Sequence, residues 1–256
     1  MLPILQVGPL AIQLPGLLLL AGVWVGSTLT EKQANRLRLP AATLGNVIFL
    51  GLVAGLISAR LWYALRYLSV YLDNPLSLLS LNPTTLAPVE GAFTGVLVSL
   101  VYAQRKGLPR WVTLDALTPG LAAFAVALGF SHLASGDAFG APAQVPWAIE
   151  LWGARRHPSQ IYETLLGGVV LAAVMEARLR ASFPGFLFIG WVALAAGSRL
   201  FLEAFRGDSV IVLGTLRLAQ LVSLALLLTV MLGLHLRARV FAAPASAAGP
   251  ARPDRR

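Results

Sequence analysis

Apolar stretches of about 17 to 25 residues, each long enough to cross a bilayer's hydrocarbon core as one helix, recur along almost the whole chain. They fall at residues 10–29, 43–63, 86–103, 114–134, 161–177, 185–204 and 210–236. Lipid offers no partner for open backbone groups, so segments of this kind must be helical. A mean hydropathy of +0.75 with 12% charged residues over 256 positions excludes an ordinary water-soluble globule. The expected fold is therefore all-α: a polytopic bundle of about seven transmembrane helices, forming one integral-membrane domain over residues 1–241. The first stretch lacks the basic flank of a cleaved leader and is expected to be a retained helix. Residues 242–256 are Ala/Pro-rich and end in Arg-Pro-Asp-Arg-Arg, a composition expected to be disordered.

Charge orients this bundle. If the N-terminus lies outside, the cytoplasmic segments carry Lys32, Arg36, Arg38, Arg105, Lys106, Arg110, Arg178, Arg180, Arg237, Arg239, Arg252, Arg255 and Arg256, which is 13 of the 20 basic residues. The excess of positive charge on cytoplasmic loops then places the N-terminus outside and the C-terminus in the cytoplasm. Much of the net charge of +9 is accounted for in this way, and no basic stripe with interleaved aromatics suggests nucleic acid. The other arginines (Arg60, Arg66, Arg155, Arg156, Arg199, Arg206 and Arg217) fall near the outward ends of the spans, where topology gives no reason for them. Zero cysteines exclude disulfides and a cysteine nucleophile within the chain. His132, His157 and His235 show no metal-binding spacing, so neither metal nor cofactor is expected.

Three polar clusters converge on the outward face. Ser58-Ala59-Arg60-Leu61-Trp62-Tyr63 closes the second stretch, Arg155-Arg156-His157-Pro158-Ser159-Gln160-Ile161-Tyr162-Glu163 opens the fifth, and Gly197 to Arg206 closes the sixth. In a continuous helix Arg199 and Glu203 stand four residues apart with Arg206 three further on, so all three would share one face. Arginine's planar fork suits phosphate, and the outer leaflet supplies phospholipid headgroups. Each piece also has a plainer reading. Arg60 and Arg206 would serve as snorkelling residues, Arg199 and Glu203 as a structural ion pair, His157 as a loop cap, and Tyr162 as a membrane-belt residue. Ionisable groups gathered at one face, with apolar span centres, argue against a transporter.

The segment Arg156-His157-Pro158-Ser159-Gln160-Ile161-Tyr162-Glu163 resembles the R-H-P-S-Q-[LI]-Y-E signature of the prolipoprotein diacylglyceryl transferases. Gly8-Pro9-Leu10-Ala11-Ile12, Ala59-Arg60-Leu61-Trp62-Tyr63, Asn74-Pro75 through Gly95, and Asp115 with Pro119 are similar to other segments of that family. Arg199, Glu203, Phe205 and Arg206 fall on its R-F-x-x-E-[FY]-x-R pattern, and Gly214 through Gln220 resembles the next helix start. The resemblance implies an enzyme of the bacterial cytoplasmic (inner) membrane that moves the diacylglyceryl group of phosphatidylglycerol onto the lipobox cysteine of preprolipoprotein signal peptides. It also implies that the thiol nucleophile belongs to the substrate. The site expected from it has Arg199 and Glu203 as catalytic groups, with Arg206, Arg60, Tyr63, His157, Gln160, Tyr162 and Glu163 binding substrate.

The chain departs from the family pattern at specific places. Glu90 stands at the position of the family's third-span His, and Gly129 at that of an arginine associated with phosphatidylglycerol. His132 and Ser135 replace two Asn, Asp137 replaces a Glu, and Pro15 replaces an aromatic. Glu90 and His132 both keep acid–base capacity, so an exchanged pair acting as catalytic residues is one expectation. The alternative is a catalytically altered or inactive paralogue that binds phospholipid or lipoprotein without the standard transfer, with Glu90 merely paired to a nearby arginine.

Overall fold

The computed structural model describes residues 4–7, 10–79, 83–212 and 214–242. The Gly8-Pro9 pair and the tail beyond residue 242 lie outside the described residues. Six helices are long and apolar enough to cross a membrane: α1 (Leu14–Arg36), α2 (Ala41–Arg66), α5 (Arg110–Ser135), α6 (Ser159–Ala177), α7 (Phe186–Leu202), whose span runs on to Phe205, and α8 (Leu218–Ala242), whose span ends at Phe241. The protein is thus an all-α, multi-pass membrane protein. The apolar stretch at 86–103 forms a helix too, α4 (Pro88–Arg105), which is not among those six. A short helix α3 (Leu68–Asp73) and 3-10 turns at 75–79 and 83–85 precede it. Among the described residues a 3-10 turn at 203–205 and three small antiparallel hairpins complete the elements: β1 (Ile4–Val7) with β2 (Leu10–Gln13), β3 (Ile149–Leu151) with β4 (Ala154–Arg156), and β5 (Ile211–Val212) with β6 (Leu216–Arg217). The last stretch was expected to begin at 210. Its first residues instead form the β5–β6 hairpin, and α8 starts only at Leu218.

The chain divides into two compact units, residues 24–120 and residues 1–23 with 121–256. Within the first, α2 and α4 meet through small residues. A Cβ on Gly95 would lie 2.6 Å from the Gly51 carbonyl oxygen, and one on Gly91 would lie 2.7 Å from that of Gly55. Such backbone approach is how membrane helices gain packing where no hydrophobic drive acts between them. The Ser99 hydroxyl adds a bond to the Val47 carbonyl at 3.1 Å. Ala34, Leu44, Val47, Ala103, Leu108 and Ala116 form this unit's core. Pro119 interrupts the α5 ladder, and one turn of that stretch is braced by Thr118 Oγ1 donating to the Leu114 carbonyl at 2.8 Å.

In the second unit α7 packs against α6 and α8, around a core of Ala122, Val170, Val174 and Leu187. Above these helices the loop from 136 to 158 folds back on the segment after α7. Its residues 139–143 run between two other strands of chain. Ala141 donates its N–H to the Phe205 carbonyl at 2.8 Å, Gly207 donates to Phe139 at 2.9 Å, and His157 donates to Ala141 at 3.0 Å. Backbone groups near a membrane surface are satisfied in this way without a regular sheet.

Candidate functional site

In the 24–120 unit Arg60, Tyr63 and Glu90 each have partners within that unit. Arg60 donates to the carbonyls of Leu78 at 3.0 Å, Thr85 at 2.9 Å and Ser77 at 2.5 Å, and to the Thr85 hydroxyl. It also lies 5.8 Å from the Tyr71 ring centroid, so the guanidinium ties the 75–85 segment to α2. Tyr63 packs on Tyr67 with ring centroids 4.8 Å apart. Glu90, in the first turn of α4, forms an ion pair with Arg66, the last residue of α2.

In the other unit α5, α6 and α7 line an open cavity of about 160 Å³. Its walls are apolar, including Ala125, Leu128, Leu166 and Val170, and its charged lining groups are Glu163 and Arg199. Arg199 sits in the last turn of α7 and is held by Glu203 four residues on, Nη2 to Oε2 at 3.1 Å. The Glu203 side chain is 1% exposed and that of Arg199 41% exposed. Glu203 therefore anchors one edge of the guanidinium and leaves the rest accessible. A buried carboxylate persists only with such a partner, and its Oε2 has no hydrogen bond besides this ionic contact.

Arg206 departs from the expected stripe. The α-helix ends at Leu202, residues 203–205 form a 3-10 turn, and Arg206 is extended at φ −78° and ψ 143°. Its side chain is gripped at both ends of the fork by Asp208, at 2.8 and 2.5 Å. It does not share a helical face with Arg199 and Glu203.

The start of α6 brings four of the expected residues together. Pro158 precedes the first turn and fixes the entry of the chain. Tyr162 and His157 flank the Phe205 ring edge-on at 5.5 and 5.3 Å, and the Tyr162 hydroxyl accepts from Trp147 Nε1 at 2.6 Å. The same hydroxyl lies 3.4 Å from His157 Nδ1. Gln160 is fully buried, donates to the Asp137 carbonyl at 2.9 Å, and leaves its own Oε1 without a hydrogen bond. Arg156 is a loop brace, donating to Leu151 at 3.0 Å and Gly140 at 3.2 Å.

Glu163 meets His132 on α5: Oε2 lies 2.9 Å from Nδ1. Glu90 and His132, expected as an exchanged pair, thus each have a different partner, Arg66 and Glu163. Position 129, expected as a site of lost positive charge, is closed. A Cβ there would stand 2.6 Å from Thr164 Oγ1 and 3.0 Å from Thr164 Cα, so α6 fills the space a side chain would need.

Three contributors escaped the sequence reading as site residues. Trp191 lines the cavity with its indole N–H buried and unbonded. Trp147 fixes the Tyr162 hydroxyl. Arg217 gathers the carbonyls of Glu203 and, at 3.0 Å, Arg206. Only Arg217 gave a signal, as an arginine at an outward span end.

A family model described as prolipoprotein diacylglyceryl transferase matches residues 3–236. The chain is similar to proteins named phosphatidylglycerol–prolipoprotein diacylglyceryl transferase in several bacteria. That of Clostridioides difficile is 27% identical over 210 residues, 82% of this chain and 84% of that protein. Those of Trichormus variabilis and Shouchella clausii are 28% and 29% identical over 237 residues, each covering 86% of this chain and 84% of the relative. An apolar cavity with an anchored, accessible arginine is in keeping with that match, and the chain belongs to the prolipoprotein diacylglyceryl transferase family.

Proposed function

We propose that this protein transfers the diacylglyceryl group of phosphatidylglycerol to the lipobox cysteine of preprolipoproteins, in a bacterial cytoplasmic membrane with its N-terminus outside. The observation that carries the proposal is the cavity beside Arg199. Its walls suit an acyl chain, while the half-exposed guanidinium, steadied by buried Glu203, suits the phosphate. In the reaction the substrate sulfur attacks the glyceryl carbon that bears the phosphate. A C–S bond forms, the C–O bond breaks, and glycerol-1-phosphate leaves with the bonding electrons. The departing phosphate carries more charge than the diester did, so a fixed cation is worth more in the transition state than in the ground state. Arg199 supplies that cation and Glu203 positions it.

His157 and Tyr162, braced by Trp147 and Phe205, form the headgroup wall, and Gln160 offers its unbonded Oε1 beside them. Arg206 with Asp208 shapes the loop after α7, while Arg60 acts within its own unit. Residues 1–241 act as one integral-membrane domain.

A second reading, a relative that binds phospholipid without transfer, is favoured by two positions. Glu90 is occupied by Arg66, and Gly129 is covered by Thr164, so neither replaces the family's group. Incubating the purified protein with labelled phosphatidylglycerol and a lipobox peptide separates the two. The transferase reading expects label on the peptide that requires its thiol and falls by about 10²- to 10³-fold in Arg199→Ala. Saturable lipid binding with no labelled peptide would establish the second reading instead.

A further inference from the structure

We propose that His132 on α5 and Glu163 on α6 form an acid–base dyad that takes the proton of the substrate thiol. The role presupposes the diacylglyceryl transfer proposed for the chain. Three observations carry it. Glu163 Oε2 is 2.9 Å from His132 Nδ1. That contact orients the ring so that a neutral imidazole holds its hydrogen on Nδ1, toward the carboxylate, and keeps Nε2 as the proton acceptor. Among the described residues Nε2 has no hydrogen bond. Both side chains are partly accessible, at 24% and 21%, and Glu163 lines the same cavity as Arg199.

The packing explains how the dyad arises. His132 lies three residues after Gly129 on α5, and Glu163 directly precedes Thr164 on α6. With no side chain at 129, Thr164 closes to van der Waals contact, and that register brings residues 132 and 163 within hydrogen-bond reach. The ionisable group that shares the cavity with Glu163 is Arg199 on α7, held by Glu203. Glu90 is held by Arg66 and takes no proton in this scheme.

The thiol proton passes to His132 Nε2 as sulfur bonds to the glyceryl carbon. The imidazolium, stabilised by Glu163, then gives the proton to the departing phosphate or to water. No oxidant or further reactant is needed.

The test uses the full-length protein in phosphatidylglycerol nanodiscs with a lipobox peptide, measuring transfer from pH 6.5 to 9.5. His132→Gln is expected to lose about 100-fold at neutral pH, the usual worth of a positioned base. The deficit should shrink to about tenfold or less at the alkaline end, because a free thiol ionises unaided near pH 8.5. Glu163→Gln should lose about tenfold alone and nothing further beside His132→Gln, since the two act as a unit. Lipid binding should be unchanged in His132→Gln. His132→Asn, the family's residue type at this position, serves as a second variant if His132→Gln folds poorly. A wild-type rate and pH profile in both His132 variants would overturn the dyad and leave the transferase reading standing. So would an equal loss at every pH. No transfer by the unsubstituted protein would overturn the transferase reading and the dyad's role with it.

Discussion

Arg60 and Arg199 each sit in the last two turns of an apolar helix, yet their guanidinium groups are used in opposite ways. Arg60, in the 24–120 unit, donates to three backbone carbonyls and a hydroxyl, and its donors are consumed in holding the 75–85 segment. Arg199, in the other unit, has one carboxylate along one edge and a cavity beside it. The contrast extends to the acids. Glu90 pairs with Arg66, whose side chain is 57% exposed, whereas Glu203 is buried beneath Arg199. Charge at a membrane surface is thus structural where neutral acceptors surround it. It is available for chemistry where a single buried counter-charge fixes it and the rest stays open.

Substitutions at the two arginines sharpen this difference. Arg199→Ala strips the buried Glu203 of its partner, so it should lower thermal stability as well as cut transfer by the 10²- to 10³-fold factor given above. Arg60→Ala should cost stability alone. Hydrogen bonds from a charged donor are worth about 1.5–3 kcal/mol each, so a clear drop in melting temperature is expected, with transfer per folded molecule within about fivefold of wild type. A transfer loss on the scale of Arg199→Ala, in folded protein, would erase the distinction.

The two acids extend the comparison to smaller effects. Glu203→Gln keeps the size of the side chain but removes the charge that steadies Arg199. Transfer should fall by about tenfold through kcat, with lipid affinity little changed, as measured by separate kinetics and binding. Glu90→Gln breaks an exposed pair worth roughly 0–1 kcal/mol, so both stability and transfer should stay close to wild type. A large loss of transfer there would return Glu90 to the catalytic set.

Most helices were legible because crossing a bilayer demands long apolar runs. The boundaries drifted where local contacts override hydropathy. Val210, Ile211 and Val212 read as membrane-spanning residues, but β5 lies there, in the loop whose carbonyls Arg217 gathers. The short hairpins left no trace in an apolar pattern with a helical period. In the site, the Arg199–Glu203 pair followed from spacing alone, because four residues make one turn. Arg206 did not, because α7 ends at Leu202 and no spacing rule marks that stop. The His132–Glu163 contact was invisible for a different reason. It depends on the register of α5 against α6, set by Gly129 and Thr164, and a lone glycine in an apolar run does not name the residue it faces.

That glycine also constrains which neighbouring sequences this protein can reach. An arginine at 129, the family's residue type, would have to enter space already held by Thr164, and moving α6 aside would pull Glu163 from His132. A side chain at 129 and the imidazole–carboxylate pair are therefore alternatives in this packing, and a single exchange at 129 cannot keep both. A smaller residue at 164 would not by itself make room, because the Thr164 backbone also stands 3.0–3.1 Å from a Cβ at 129, so α6 itself would have to move.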